Sequence, residues 1–259
     1  MKNRIIDLFN KKQSEILSIF FTAGFPKLND TKTILESLDK SGVDLVEIGM
    51  PYSDPIADGE TIQRSNKVAL DNGMTLNVLF EQLANIRKTV STPLILMGYL
   101  NPVEQFGVER FCRKAVEVGI DGLILPDLPI ELYVEQYKPL FDKYNLSNIL
   151  LITPQTAEER IRMIDDNTDG FIYMVSDNSI TGKTTDGVSD NRLAYFNRIQ
   201  NMNLKNPTVM GFGIYNKATF QTACEFSRGA IIGSAFIRLL ESSEAVESDI
   251  EGFVKNIKA

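Results

Sequence analysis

Between Asp44 and Glu60, the ends of the short stretch DLVEIGMPYSDPIADGE, three further carboxylates, Glu47, Asp54 and Asp58, fall where an apolar run gives way to a loop. The segment 44–48 reads as a core strand, and alternation sets Leu45, Glu47 and Gly49 on one face, with Val46 and Ile48 on the other. The β-branched pair suits a helix-packed side, so Glu47 is expected to point inward. A carboxyl in such a place is costly to ionise and its pKa rises, which suits a group that takes and gives a proton near neutrality. A structural acid bonded to backbone N–H groups or to an arginine is the plainer alternative. Asp58 rides on DPIADG, a loop stiffened by Pro51 and Pro55 and turned by Gly59, which can fold back and present a second carboxylate to the same space. Asp54 shares that loop and could equally face a partner protein or cap the helix that follows. For either aspartate alone, turn formation is the ordinary role.

The 259 residues include no histidine, which removes Ser-His catalysis, the imidazole base and most transition-metal sites. Proton transfers therefore fall to carboxylate, tyrosine, lysine or water, and no metal is expected. A net charge of −7 disfavours a nucleic-acid backbone or an anionic membrane surface as partner. No stretch approaches the roughly 18 apolar residues a membrane span needs. Cys112 and Cys224 lie in helix-like segments without metal-type spacing. They read as buried free thiols of a reducing cytosol, with a disulfide as the alternative, so a cytoplasmic protein is expected.

The elements that must position these residues follow from periodicity. Strands are predicted at 16–21, 44–48, 94–97, 122–125, 148–152, 171–175, 208–212 and 230–233. Helices are predicted at 30–41, 76–90, 103–118, 131–144, 157–166, 191–200 and 217–226, with a last one at 244–258. MKNRIIDLFNKK adds a short amphipathic N-terminal helix, and the long second unit holds the acidic loop and a further helix at 61–72. No linker-like composition divides the chain. The expected fold is α/β, a single (β/α)8 TIM barrel over residues 1–259, with an extra N-terminal helix and a long second βα loop. An open doubly wound sheet also alternates strand and helix, but its nucleotide-binding form expects a Gly-rich turn where this chain has TAGFP.

Barrel chemistry collects where strands end. Phe20, Tyr99, Leu125, Asp127 and Tyr173 fall at or just past strand C-termini and suit an aromatic-walled cavity, although each alone is equally a core residue. Strand seven ends in Gly211-Phe212-Gly213 and strand eight in Gly233-Ser234, ahead of a helix at 235–240. Exits of this kind hold phosphate in barrels, through outward N–H groups and glycines that let an anion approach. The alternative is that these glycines only form tight turns. The polar loop 176–190 is long enough to act as a lid. Its Lys183 lacks the buried stem that a Schiff-base lysine needs.

Ordered blocks spread over nearly the whole chain carry a resemblance. They are FTAGFP (21–26), VEIGMPYSDPIADGETIQ (46–63), LMGYLNP (96–102), ILPDLP (124–129), IYMVS (172–176), ITG (180–182), GFGI (211–214) and IIGSA (231–235). Together they resemble the tryptophan synthase α-subunit family; the second block is the most specific, and phosphate-binding barrels in general share only the last two. The resemblance implies a retro-aldol cleavage of indole-3-glycerol phosphate to indole and glyceraldehyde 3-phosphate, with no cofactor or metal. It assigns Glu47 the acid/base role, Asp58 the bond to the indole N–H, and Tyr173 a place beside Glu47 and the substrate. Phe20, Tyr99 and Phe212 match pocket-wall positions. Gly182, Gly213, Gly233 and Ser234 match the phosphate cradle, and Thr181 the lid. The implied partner is a β-subunit that carries pyridoxal phosphate and receives the indole, in an α2β2 complex. Contacts to it would use Asp54, Pro55, Asn101, Pro102 and Asp127. Asp177, Asn178 and Ser179 depart from the arginine and glycine that many members carry there. A stand-alone lyase, or a barrel kept as an activating partner or ligand sensor, are the competing functional readings.

Overall fold

The computed structural model describes residues 3–175, 190–211 and 213–258. Its strands are β1 (Ile16–Thr22), β2 (Leu45–Gly49), β3 (Leu94–Met97), β4 (Gly122–Ile124), β5 (Ser147–Asn148), β6 (Leu151–Ile152), β7 (Ile172–Val175), β8 (Thr208–Gly211) and β9 (Gly229–Ile232). All pair in parallel, in the order β5-β4-β3-β2-β1-β9-β8-β7-β6. Strands β1 and β2 are buried along their entire lengths, the near-continuous apolar pattern of a parallel sheet covered on both faces.

The predicted fifth strand, 148–152, is two pieces rather than one. Up to Ile149 the segment pairs with β4, the Ile149 N–H donating to Leu123 O at 2.9 Å. From Leu150 it pairs with β7, whose Tyr173 N–H donates to Leu150 O at 2.9 Å. The two edges of the sheet are thus one stretch of chain, and the sheet closes as a (β/α)8 barrel. Each neighbour is served by successive residues instead of by the same ones.

Several predicted helices are also divided. The run 103–118 breaks into Leu100–Phe106 and Val108–Glu117 at Gly107, whose φ of 89° a residue with a Cβ rarely adopts. The run 131–144 passes through a π turn at Tyr133–Tyr137, just before Pro139, which has no N–H to continue an α ladder. The run 76–90 is α-helical only over Leu76–Leu83, followed by a 3₁₀ turn at Ile86–Lys88.

The N-terminal helix, Arg4–Lys11, closes the floor of the barrel, the end at which the strands begin. Its Ile5 is fully buried and fills space left by two glycines: a Cβ on Gly122 or Gly170 would lie 2.8 or 2.6 Å from it. Asn3 caps this helix by accepting from Ile5 N–H, while its amide donates to Asp121 O at 2.7 Å. The buried Asp121 carboxylate accepts from Leu94 N–H, Arg4 and Arg87 at 2.9, 2.9 and 2.6 Å. The floor is therefore held by packing and by one bonded carboxylate. No described helix is long and apolar enough to cross a membrane.

Candidate active site

Glu47 stands in the middle of β2, fully shielded from solvent, in register with Phe20 on β1 and Ile95 on β3. Its Oε1 accepts from the Ser18 hydroxyl at 2.8 Å, whereas its Oε2 has no partner among the described residues. Burial raises its pKa to about 8, against the opposing pull of the Ser18 bond. The plainer alternative, an acid satisfied by backbone N–H groups or by an arginine, does not describe this group. Tyr173, on β7, is buried too, and its phenol is held far above its usual pKa by burial and then by the Glu47 and Asp58 carboxyls.

Asp58 is half-buried on the loop between β2 and the helix Glu60–Asp71. Its Oδ2 accepts from the Tyr99 hydroxyl at 3.0 Å, and that same hydroxyl accepts from Ala57 N–H at 3.0 Å. Burial lifts the Asp58 carboxyl to about 6, the Tyr99 bond opposing the shift. Asn66 accepts from Tyr52 N–H at 3.2 Å, and the Tyr52 and Tyr99 rings lie 5.2 Å apart. The acidic loop is thus pinned to the β3 exit by Tyr99 and to its own following helix by Asn66. Sequence reasoning placed Tyr99 in the pocket wall but missed that its hydroxyl holds Asp58. It missed Ser18 and Asn66 as well, because a serine inside a strand and an asparagine inside a helix carry no motif.

Phe20, Gly49, Asp58, Met97, Tyr99 and Pro126 line a cleft at the strand C-terminal ends. Two glycines make room for aromatic rings at this end of the barrel. A Cβ on Gly49 would lie 2.7 Å from the Phe20 ring, and one on Gly211 would lie 2.2 Å from the Tyr173 hydroxyl. Both are strand-end positions on which the aromatic side chains rest.

Just past β9, beside the Phe20 ring, Gly233 is the N-cap of the helix Ser234–Ser242 and has no side chain to cap it. The first N–H groups of such a helix have no intrahelical acceptors and favour an anion. Gly213, just past β8, is exposed at φ 74°, a left-handed conformation that suits glycine, and a Cβ there would meet nothing within 4 Å. Thr181, Gly182 and Phe212 lie outside the described residues, as do Asp177, Asn178, Ser179 and Lys183.

Of the expected interface residues, Asp54 and Asn101 are exposed, while Pro55 and Pro102 are half-buried. Asp127 is exposed and already serves the fold, since both its oxygens accept from Leu100 N–H, at 2.9 and 3.1 Å, at the start of the Leu100–Phe106 helix. Sequence reasoning also missed Ile56, 79% exposed in the middle of the acidic loop; an apolar residue between Pro55 and Asp58 was the available signal. Cys112 is buried and Cys224 only half-buried, and neither is in a disulfide.

With this geometry in place, comparison with known proteins gives one family. The family model described as tryptophan synthase alpha chain matches residues 7–258. The chain belongs to the tryptophan synthase alpha chain family. The tryptophan synthase alpha chain of Flavobacterium johnsoniae is 56% identical over 96% of this chain and 97% of its own length. That of Bacteroides thetaiotaomicron is 54% identical over 96% of each. Among solved structures, the Legionella pneumophila tryptophan synthase alpha subunit superposes with a TM-score of 0.87 at 33% identity, covering 100% of this chain and 98% of that one. A chain of the tryptophan synthase complex from Pyrococcus furiosus superposes with a TM-score of 0.85 at 30% identity, covering 95% and 99%. The α-chain family is the one that the sequence blocks resemble, and its solved members share this fold.

Proposed function

We propose that this chain is the lyase subunit of a tryptophan synthase and cleaves indole-3-glycerol phosphate into indole and glyceraldehyde 3-phosphate. The observation that carries the reading is a fully buried carboxyl, Glu47, whose Oε2 has no partner among the described residues, at the same barrel mouth as a second carboxyl, Asp58, held by Tyr99. Burial lifts the first to about 8 and the second to about 6. At neutral pH the first is mainly protonated and the second mainly ionised, so one site holds an acid and an anion together.

Protonated Glu47 delivers its proton to C3 of the indole, and the ring takes positive charge. Ionised Asp58 accepts the indole N–H and balances that charge. The Glu47 carboxylate then takes the proton of the side-chain hydroxyl next to C3. The carbon–carbon bond breaks, its electron pair restores the aromatic ring, and the hydroxyl oxygen becomes the aldehyde carbonyl. Glu47 ends protonated, as it began, and no electrons are left over. Tyr173 lies within electrostatic reach of both carboxyls, and Phe20 and Tyr99 form the apolar walls for the indole ring. Gly213, Gly233 and Ser234 would receive the phosphate, with Gly182, Thr181 and Phe212 in their family roles.

The chemistry asks only for proton transfers, so we assign no cofactor to this chain and assign pyridoxal phosphate to the partner. Likeness to a chain of the P. furiosus tryptophan synthase complex supports a partner subunit; we assign that partner as the β-subunit, in an α2β2 assembly within the cytoplasm. Asp54, Pro55, Asn101, Pro102 and Asp127 are the proposed contacts, and exposed Ile56 lies among them. Purified protein is to be assayed for indole release from indole-3-glycerol phosphate, with and without a cognate β-subunit. Indole release that rises strongly with the β-subunit is expected. High release without it would make the chain a stand-alone lyase, and no indole in either assay would overturn the reading.

A further inference from the structure

We propose that Ser18 is a positioning residue that fixes which oxygen of Glu47 carries the proton, by holding Oε1 and leaving Oε2 for the substrate. The inference rests on the lyase reading above and adds to it a residue outside the blocks that mark the family.

The geometry is specific. Ser18 is fully buried on β1 and registered with Leu45, one inward-facing position nearer the barrel floor than Glu47. Its hydroxyl donates to Oε1 at 2.8 Å, so Oε1 is drawn floorward and engaged. Oε2 is equally buried yet unpartnered among the described residues. A neutral carboxyl has one acidic O–H, and an oxygen already accepting a hydrogen bond is the poorer place for it. The proton therefore sits on Oε2 and is given and retaken there. An unpartnered buried oxygen costs stability, a cost in keeping with a site that bonds its substrate in that position.

The hydroxyl also tunes the acid. Among the described residues the titratable group that senses Glu47 is Tyr173 on β7, which also senses Asp58 on the loop after β2. From β1 Glu47 meets Ser18 and Phe20, and from β3 it is registered with Ile95, none of which is charged. Burial raises the Glu47 pKa, and the Ser18 bond is what pulls it down. Removing that bond raises the pKa further and frees the carboxyl to turn.

The test compares Ser18→Val with Ser18→Thr in the complete enzyme, since valine and threonine are close in shape and differ by the hydroxyl. Ser18→Val is expected to lower kcat about tenfold with KM within about twofold. It should also move the alkaline limb of the kcat/KM profile up by about one pH unit, as befits loss of a bond to a charged group. Ser18→Thr should restore both. Ser18→Ala replaces the valine variant if valine does not fold. A hydroxyl-free variant with the parental alkaline limb overturns the inference, even if its stability drops. Glu47→Gln separates the two levels: if it stays active the lyase assignment fails, and if it is inactive while Ser18→Val keeps the parental profile, only the role of Ser18 fails.

Discussion

At the scale of the residue, two carboxyls in one barrel mouth are held apart in pKa by their surroundings. Glu47 is raised to about 8 and must be protonated to act on C3, so activity should fall as pH rises through that value. Asp58 is raised to about 6 and must be ionised to balance the ring charge, so activity should fall as pH drops through that value. The expected kcat/KM profile is a bell with limbs near 6 and 8, because kcat/KM reports the free enzyme's groups. A profile flat from pH 5 to 9 would contradict the assignment of both acids. Glu47 was legible in the sequence because strand alternation aims it inward and the absence of histidine leaves carboxylates to move protons. Ser18 was not, because its significance lies in the register between β1 and β2, which a single strand does not display.

At the scale of the element, the acidic loop is only as ordered as its attachment to the β3 exit. Tyr99 supplies that attachment, donating to Asp58 and accepting from Ala57 N–H at 3.0 Å each. Tyr99→Phe keeps the ring and removes both bonds. Since the Tyr99 bond holds the Asp58 pKa down, its loss should raise the acidic limb by about one pH unit and lower kcat about tenfold. Steady-state kinetics across pH measure this, and an unmoved acidic limb would show that the loop is held otherwise. Strand and helix order were legible from periodicity, and their ends mostly within one residue. The breaks were not. The division at Gly107 and the change of partner between Ile149 and Leu150 come from tertiary demands, the second from closing the sheet. Periodicity carries no mark of either. The interface remained a matter of family pattern, because partner contacts depend on a surface that the chain alone does not complete.

At the scale of the whole molecule, the barrel separates its two ends. Strand C-termini carry the acids, the cleft and the anion-favouring helix start, while the floor carries Asn3, Ile5 and Asp121. Asp121→Ala would leave Leu94 N–H without its buried acceptor and Arg87, still bonded to the Gly119 and Thr92 carbonyls, without its carboxylate partner. Loss of one partner of a buried ion pair costs about 3–5 kcal/mol. Urea denaturation should show that loss, while kcat of the folded enzyme stays within about twofold, because floor residues stabilise and mouth residues react. A large fall in kcat at unchanged stability would break this division of labour.

That Glu47 makes the proton transfers is tested most directly by one measurement. Indole formation from indole-3-glycerol phosphate is followed for Glu47→Gln beside the parent, with substrate binding measured on the same samples. The amide keeps size and burial but cannot give or take a proton. Turnover is expected to fall by at least about a thousandfold, at the upper part of the range for loss of a general acid/base, while substrate binding stays near the parental value. Near-parental turnover in Glu47→Gln would contradict the account.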